Sequence, residues 1–375
     1  MNIVHVVESL AIGGLERVVL SLATWQRRRG DAIRILCLFE EGAMSGQARA
    51  AGIDVQTIGK RSGWDLHALQ ALRMALCDKP VDVLHTHNAV AHYHAVAAAL
   101  GLGLKRVLNT RHGMGAPRGA RRERLYRLAV RGADAVVFVS HAGFAHFVQQ
   151  EGGVPAHKAH VIANGVEVTA IAERQDALHR KLLARLGRPP ETLLIGTVGR
   201  LNPVKDHATL LLAMQRLRRA GHTADLVLVG DGVTRQALQA QARMLQVEDC
   251  VHFLGMRDDV LSLLPSFDLF ALSSITEGYS LALVEAAAAA LPIVATRVGG
   301  NADIVAAGVN GLLVEPRDAA ALAKALAQLL DDGDLRQRMG QAGRTWALNH
   351  GSVEAMGRSY DALYRPVTNA SGAVK

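Results

Sequence analysis

The sequence predicts an α/β protein made of two doubly wound, Rossmann-like units, and three observations carry that prediction. Short apolar runs alternate with longer stretches of helical period, the alternation stops at a polar break and begins again after it, and 375 residues are long for one domain but comfortable for two. Apolar runs without polar alternation are strands buried on both faces, as in parallel sheets, and the helical stretches are their crossovers. In the N-terminal half the expected strands are Ile3 to Val7, Ala32 to Leu38, Val83 to His85, Arg106 to Thr110 and Ala135 to Val139. In the C-terminal half they are Leu193 to Val198, Asp225 to Val229, Val251 to Leu254, Leu269 to Leu272 and Pro292 to Ala295. Between the series, the charged stretch Ala170 to Glu191 ends in Gly187, Pro189 and Pro190, which marks the domain junction. The expected boundaries are 1–170, 171–352 and a terminal helical segment, 353–370, that crosses back onto the first unit. Ligands of open parallel sheets bind beyond the strand C-termini, so two such units are expected to face one interdomain cleft.

Composition narrows the class. Hydrophobic residues make up 50% of the chain and charged residues 20%, the balance of a folded globular protein. Cys37, Cys77 and Cys250 are too few and too scattered for a disulfide framework or a metal knuckle, which suits a reducing, cytoplasmic setting. The opening MNIVHVVESLAIGG lacks the basic region of a signal peptide, so none is expected. The apolar runs at Ala95 to Leu104 and Ala286 to Ala295 are shorter than the roughly 20 residues of a membrane span.

The formal net charge is +8, and PRGARRERLYRLAVRG concentrates Arg118, Arg121, Arg122, Arg124, Arg127 and Arg131. Such a cluster is either a solvated helix face or a surface for an acidic acceptor or for anionic lipid headgroups at the inner face of a membrane. Nucleic acid is not expected, because no aromatic-interleaved signature accompanies the charge.

Three constellations carry chemistry. Gly13 and Gly14 follow the first strand and precede an amphipathic helix. Glycines there let backbone amides approach an anion at the positive end of the helix, although a tight turn uses the same residues. In GTVGRLNPVKDHATLLLAM, Arg200 and Lys205 lie between a strand end and a helix that Asp206 can cap. A guanidinium beside an ammonium suits a diphosphate; the alternative is two solvated loop cations. In LFALSSITEGYSLALVEAAAAALPIVAT, Glu277 follows a strand, Ser280 is placed as a cap, and Glu285 falls one or two turns into an Ala-rich helix. That helix start offers free amides to phosphate, and a carboxylate just inside it can accept two ribose hydroxyls. Acidic residues near a helix start also simply favour its dipole.

These segments, with GGLE at the start, HG at His112 and Gly113, NGV at Asn164 to Val166, VGDG at Val229 to Gly232, EGYSLALVE, and VGG at Val298 to Gly300 followed by NGLLVEP, occur in one order along nearly the whole chain. In that order the chain resembles the family 4 retaining glycosyltransferases of the GT-B fold, also called glycosyl transferases group 1. The resemblance implies transfer of a sugar from a nucleoside diphosphate sugar to a saccharide or lipid-linked acceptor, without a cofactor or metal. It implies that Arg200 and Lys205 bind the diphosphate, Glu285 the ribose, and Glu277 the donor sugar or its phosphate. Gly278, Tyr279, Ser280 and Leu281 would complete the donor site, with Gly14 contributing from the first unit. His112 would lie against the donor sugar, and Gly13, His87, Arg111 and Asn164 would stand on the acceptor side. Two departures bear on the sugar pocket: Ser280 stands where the family commonly has Gly, and the acid after the paired glycines is Asp303 rather than a later one.

Two rival classes follow from other residues. VLHTHNAVAHYH gathers His85, His87, His92 and His94, and His85 and His87 share a strand face from which they could ligate one metal ion of a hydrolase. A sugar-nucleotide-binding protein without catalysis is the other, since fold alone does not establish function. The acidic DDGD at Asp331 to Asp334 lies between helical segments, as a solvated turn does.

Overall fold

The alternation of apolar runs and helical stretches folds into a seven-stranded and a six-stranded sheet, parallel throughout in the computed structural model. The structure describes residues 1–61, 63, 65–113, 120–150 and 153–365. The chain divides into two units, one of Met1–Gly165 with the segment from Val353, the other of Val166–Ser352.

In the first unit the strands are β1 (Asn2–Val7), β2 (Ala32–Cys37), β3 (Asp54–Thr57), β4 (Val83–His87), β5 (Arg106–Arg111), β6 (Ala135–Phe138) and β7 (Ala159–Val161). Their order across the sheet is β3-β2-β1-β4-β5-β6-β7. The chain winds outward from β1 to β3 and then starts again on the other side of β1 with β4. The sheet therefore has a topological switch point between β1 and β4, where the connections leave in opposite directions and open a crevice at the strand C-termini. Val4, Val6, Leu36 and Leu84 are buried against Leu72, Leu76, Ala91 and Ala95 of the crossover helices, forming one core face.

In the second unit the strands are β8 (Leu193–Val198), β9 (Ala224–Val229), β10 (Val251–Gly255), β11 (Leu269–Leu272), β12 (Ile293–Thr296) and β13 (Gly311–Val314), in the order β10-β9-β8-β11-β12-β13. Here the switch point lies between β8 and β11. Leu226, Leu228, Leu269 and Val294 are buried against Leu210, Met214, Leu326 and Leu329 of the flanking helices.

Five strands per half were expected, and the sheets have seven and six. The three additional strands, β3, β7 and β13, are all edge strands. An edge strand pairs on one side only and keeps part of its surface in water, so its apolar run is short: DVQT and AHV do not stand out from their surroundings.

The terminal helix Val353–Tyr364 packs on the helix Gly14–Arg28 of the first unit. Gly357 makes that approach close, because a Cβ there would come within 2.4 Å of the Trp25 ring. Tyr360 and Tyr364 are buried, and the Gln26 amide donates to the Tyr364 hydroxyl at 3.1 Å. Among the described residues no helix is long and apolar enough to cross a membrane.

Candidate functional site

At the switch point of the second unit, two loops leave neighbouring strands and are bonded to each other. The loop after β8 carries Arg200 and Lys205; the loop after β11 carries Glu277 to Leu281. Ile275 donates its backbone N–H to the Val204 carbonyl at 2.9 Å, and Ser273 Oγ donates to the Lys205 carbonyl at 3.0 Å. Asn202 accepts from the Lys205 N–H at 3.1 Å, closing a single turn, and Asp206 then caps the helix His207–Arg219 through Thr209. These bonds place Lys205 Nζ 2.5 Å from Glu277 Oε1, which also accepts from Ser274 Oγ at 2.6 Å. Arg200 is exposed, and no described residue holds its guanidinium.

Glycines explain why the loops can come so near. Gly299, at φ +50°, sits against the Glu277 carbonyl so closely that a Cβ would be 1.7 Å from it, and Gly300 donates to the Gly278 carbonyl at 3.1 Å. Gly230, at φ +137°, lies as tightly against the Gly199 carbonyl. The VGDG and VGG segments thus hold the two site loops in place by backbone contact.

Beyond the second loop, the helix Leu281–Ala288 begins with Ser280 at the N-cap position, but contrary to expectation its hydroxyl caps no amide. The first amides of that helix are therefore open to an anion at the positive end of its dipole. Glu285 is buried one turn in and has a protein partner. Tyr279 is buried with an unpartnered hydroxyl, and burial raises its pKa far above the ordinary phenol value.

The switch point of the first unit is lined differently. β1 and β4 align His5 with His85, and β4 runs two residues further than expected, to His87. A continuous chain of bonds results: Gln26 Oε1 to His5 Nε2 at 2.8 Å, His5 Nδ1 to His87 Nε2 at 3.0 Å, and His87 Nδ1 to His112 Nε2 at 2.9 Å. His85 lies alongside, bonded to the Tyr364 hydroxyl at 2.7 Å and to Thr110 Oγ1 at 2.8 Å. Burial lowers the pKa of His5 to about 4 and of His112 to about 3, and lowers His85 and His87 well below the ordinary imidazole range. All four rings are neutral at pH 7.

The remaining first-unit candidates separate. Gly13 precedes and Gly14 opens the helix Gly14–Arg28, at the β1 end of the crevice. Arg111 is buried, its guanidinium lying over the rings of Phe147 at 3.8 Å and Tyr126 at 4.4 Å, with one terminal nitrogen unpartnered. Asn164 is buried with its Oδ1 unpartnered. Of the basic cluster, Arg124, Arg127 and Arg131 are exposed, whereas Arg118 and the side chains of Arg121 and Arg122 lie outside the described residues.

His5, His85 and His87 bring three ring nitrogens within 4.8 Å, the spacing of a metal site. His92 and His94 do not join them: His92 bonds to Thr86, and His94 to the Val90 carbonyl. In the trio every ring nitrogen already has a protein partner and no carboxylate takes part, so the donor set fits a hydrogen-bonded chain better than a cation. In DDGD, Asp332 accepts from the Leu335 N–H at 2.8 Å and caps the helix Gly333–His350.

With both crevices described, comparison with known proteins assigns the family. The model of Glycosyltransferase Family 4 matches residues 12–170, and that of Glycosyl transferases group 1 matches residues 179–346. The chain belongs to the family 4 glycosyltransferases. Curated family members include D-inositol 3-phosphate glycosyltransferase of Corynebacterium jeikeium, 33% identical over 54% of this chain and 51% of that protein. N-acetyl-alpha-D-glucosaminyl L-malate synthase of Bacillus anthracis is 28% identical over 76% of this chain and 75% of that protein. The match spans about half the length of the first of these relatives. Among solved structures, Anabaena HepE in complex with UDP superimposes with a TM-score of 0.86 at 23% identity, over 96% of this chain and 99% of that one, and shares its fold.

Within this family 4 chain, three contributors escaped the sequence reading: His5, Gln26 and Ser274. His5 had a usable signal, a histidine inside an otherwise apolar buried strand, which needs a partner. Gln26 and Ser274 had none, since their partners are distant in sequence or belong to an ordinary loop.

Proposed function

We propose that this protein transfers a glycosyl group from a nucleoside diphosphate sugar to a lipid-linked acceptor, with retention of anomeric configuration and without a metal. The observation that carries the donor half is the paired loops after β8 and β11, which put Arg200, Lys205 and an uncapped helix start at one switch point. Arg200 and Lys205 would bind the diphosphate and stabilise the charge it gains as the glycosidic bond breaks. The open amides of Leu281 and its neighbours add to that stabilisation, and Glu285 binds the ribose. Glu277 holds Lys205 through Oε1; Oε2, which no described residue occupies, is left for a sugar hydroxyl. The family resemblance assigns the sugar to His112 as well, whose ring is uncharged. Among the described residues no nucleophile and base pair stands beside the paired loops, which supports a reading in which the departing diphosphate takes the acceptor proton on the same face.

The acceptor class rests on a groove of about 690 Å³ in the first unit, lined by Phe39, Leu66, Leu100, Leu125 and Leu128. Leu66, Leu100 and Leu128 are exposed there; Arg124 lies one turn before Leu128 on the helix Ala120–Val130, and Arg131 follows that helix's end. Apolar surface edged by cations suits the hydrocarbon and phosphate of a lipid carrier at an anionic membrane face.

The experiment is a panel of nucleotide sugars, UDP-sugars first because HepE was solved with UDP, read by thermal stabilisation and slow donor hydrolysis in excess chelator. Stabilisation by one donor, unaffected by chelator, is expected. A chelator-sensitive activity would overturn the metal-free reading, and stabilisation without turnover for any acceptor would leave a binding protein. Sedimentation with anionic vesicles, abolished by Leu128→Glu, tests the groove.

A further inference from the structure

The chain from Gln26 to His112 has a direction, and the direction decides what His112 can do. Gln26 Nε2 donates to the Tyr364 hydroxyl, so the atom it turns to His5 is Oε1, an acceptor. His5 Nε2 must therefore carry the proton. A neutral imidazole has one N–H, which makes His5 Nδ1 an acceptor and obliges His87 Nε2, 3.0 Å away, to donate to it. By the same rule His87 Nδ1 accepts from His112 Nε2 at 2.9 Å. His112 Nδ1 is then a bare lone pair, and that atom is shut from solvent with no partner among the described residues. The side branch agrees: having accepted from Gln26, the Tyr364 hydroxyl donates to His85 Nδ1, and His85 Nε2 donates to Thr110 Oγ1, which is free to donate to the Tyr360 hydroxyl at 2.9 Å.

We propose that Gln26, His5 and His87 are positioning residues that hold His112 as the Nε2–H tautomer, so that its Nδ1 accepts a hydrogen bond from a hydroxyl of the bound sugar. This rests on the reading of the site as a donor-sugar site. A lone imidazole in water exchanges between tautomers, and in the wrong one Nδ1 carries a proton and can only donate. The relay removes the exchange because moving the proton of any one ring would set two bare nitrogens, or two N–H groups, against each other. Gln26 is the control point, since turning its amide over would reverse every proton along the chain. The backbone of His112 is held as well, its N–H donating to Asn88 Oδ1 at 3.3 Å.

The test reads the tautomer directly. In ¹⁵N-histidine-labelled protein at pH 7, long-range proton–nitrogen spectra distinguish a protonated from a bare ring nitrogen, and His112→Gln identifies the His112 signals by their loss. The expected wild-type pattern for His112 is Nε2 protonated and Nδ1 bare; the reverse pattern, or a doubly protonated ring, overturns the proposal. Gln26→Leu and His87→Phe should mix the tautomers and lower kcat for donor turnover on the order of tenfold with donor KM little changed. Gln26→Glu, which as a carboxylate accepts toward His5, should recover the wild-type pattern and part of the rate. A fixed tautomer in Gln26→Leu, or equal losses in both Gln26 variants, would mean that the chain is merely structural. The spectra need no substrate. A bare Nδ1 with no donor turned over would sink the transferase reading and leave the relay standing, whereas turnover with Nδ1 protonated would sink the relay alone.

Discussion

The two crevices share one topology and carry opposite chemistry. In the second unit the switch point between β8 and β11 is dressed with charge, Arg200, Lys205 and Glu277, on loops pinned by backbone contacts. In the first unit the switch point between β1 and β4 is dressed with uncharged imidazoles locked together inside the sheet. A parallel sheet supplies a place, and side chains decide what the place does. Charge has to sit on loops, where water can solvate it before a ligand arrives, because burying it unpaired is costly. Neutral histidines can sit in the strands themselves, because hydrogen bonds satisfy them without solvent.

The sharpest way to break this contrast is to remove the charge. The Arg200→Ala, Lys205→Ala double variant should lose at least about 10³-fold in turnover of the donor identified by the panel, while its melting temperature stays near wild type. Near-normal turnover would show that the charged crevice is not where the diphosphate is stabilised.

Acid should strike the first unit harder. His5 and His92 titrate at about 4 in the fold and His112 at about 3, all below the ordinary 6.5. Between pH 6.5 and about 4 the unfolded chain takes up protons that the folded first unit refuses. Its stability is therefore complete above 6.5 and falls as pH drops, on the order of 1.4 kcal/mol per pH unit for each such histidine. The second unit has one comparable group, His207, at about 4. Hydrogen exchange at pH 5 should show β1 and β4 opening before β8 and β11; the opposite order would refute the account.

A smaller effect is expected at Gly299. Gly299→Ala puts a Cβ against the Glu277 carbonyl at a left-handed φ, at a cost of about 1 to 3 kcal/mol in chemical denaturation, with reduced donor affinity. The smallest is Ser280→Ala. Because the hydroxyl caps no amide, stability should change by less than about 0.5 kcal/mol, and a loss near 1 kcal/mol would reveal a cap.

Legibility followed burial. Strands inside the sheets were readable because burial on both faces forces an unbroken apolar run; β8 and β11 fall where the sequence places them. Of the four edge strands, β10 was read and β3, β7 and β13 were not; in β3 and β7 one-sided pairing leaves DVQT and AHV without a distinct apolar run. The charged residues of the second unit's crevice were legible for a related reason: Arg200, Lys205, Glu277 and Glu285 sit in contiguous segments beside glycines that have a local backbone task. The histidines of the first unit's crevice were only partly legible. His85 and His87 read as candidate metal ligands when taken alone, and the partners that give them another role, His5, Gln26 and Tyr364, come from a strand and two helices far along the chain.

Local sequence alone therefore determined the fold class, the strand ends that bear chemistry and the charges they carry, since each depends on residues within one turn or one strand of another. Tertiary structure decided which of those residues meet. Lys205 is given to Glu277 across 72 positions and Gln26 to Tyr364 across 338, and the direction of hydrogen bonding into His112 exists only once those contacts close. A proton's place on an imidazole is set by the neighbour it faces, and in a parallel sheet that neighbour belongs to another strand or crossover helix.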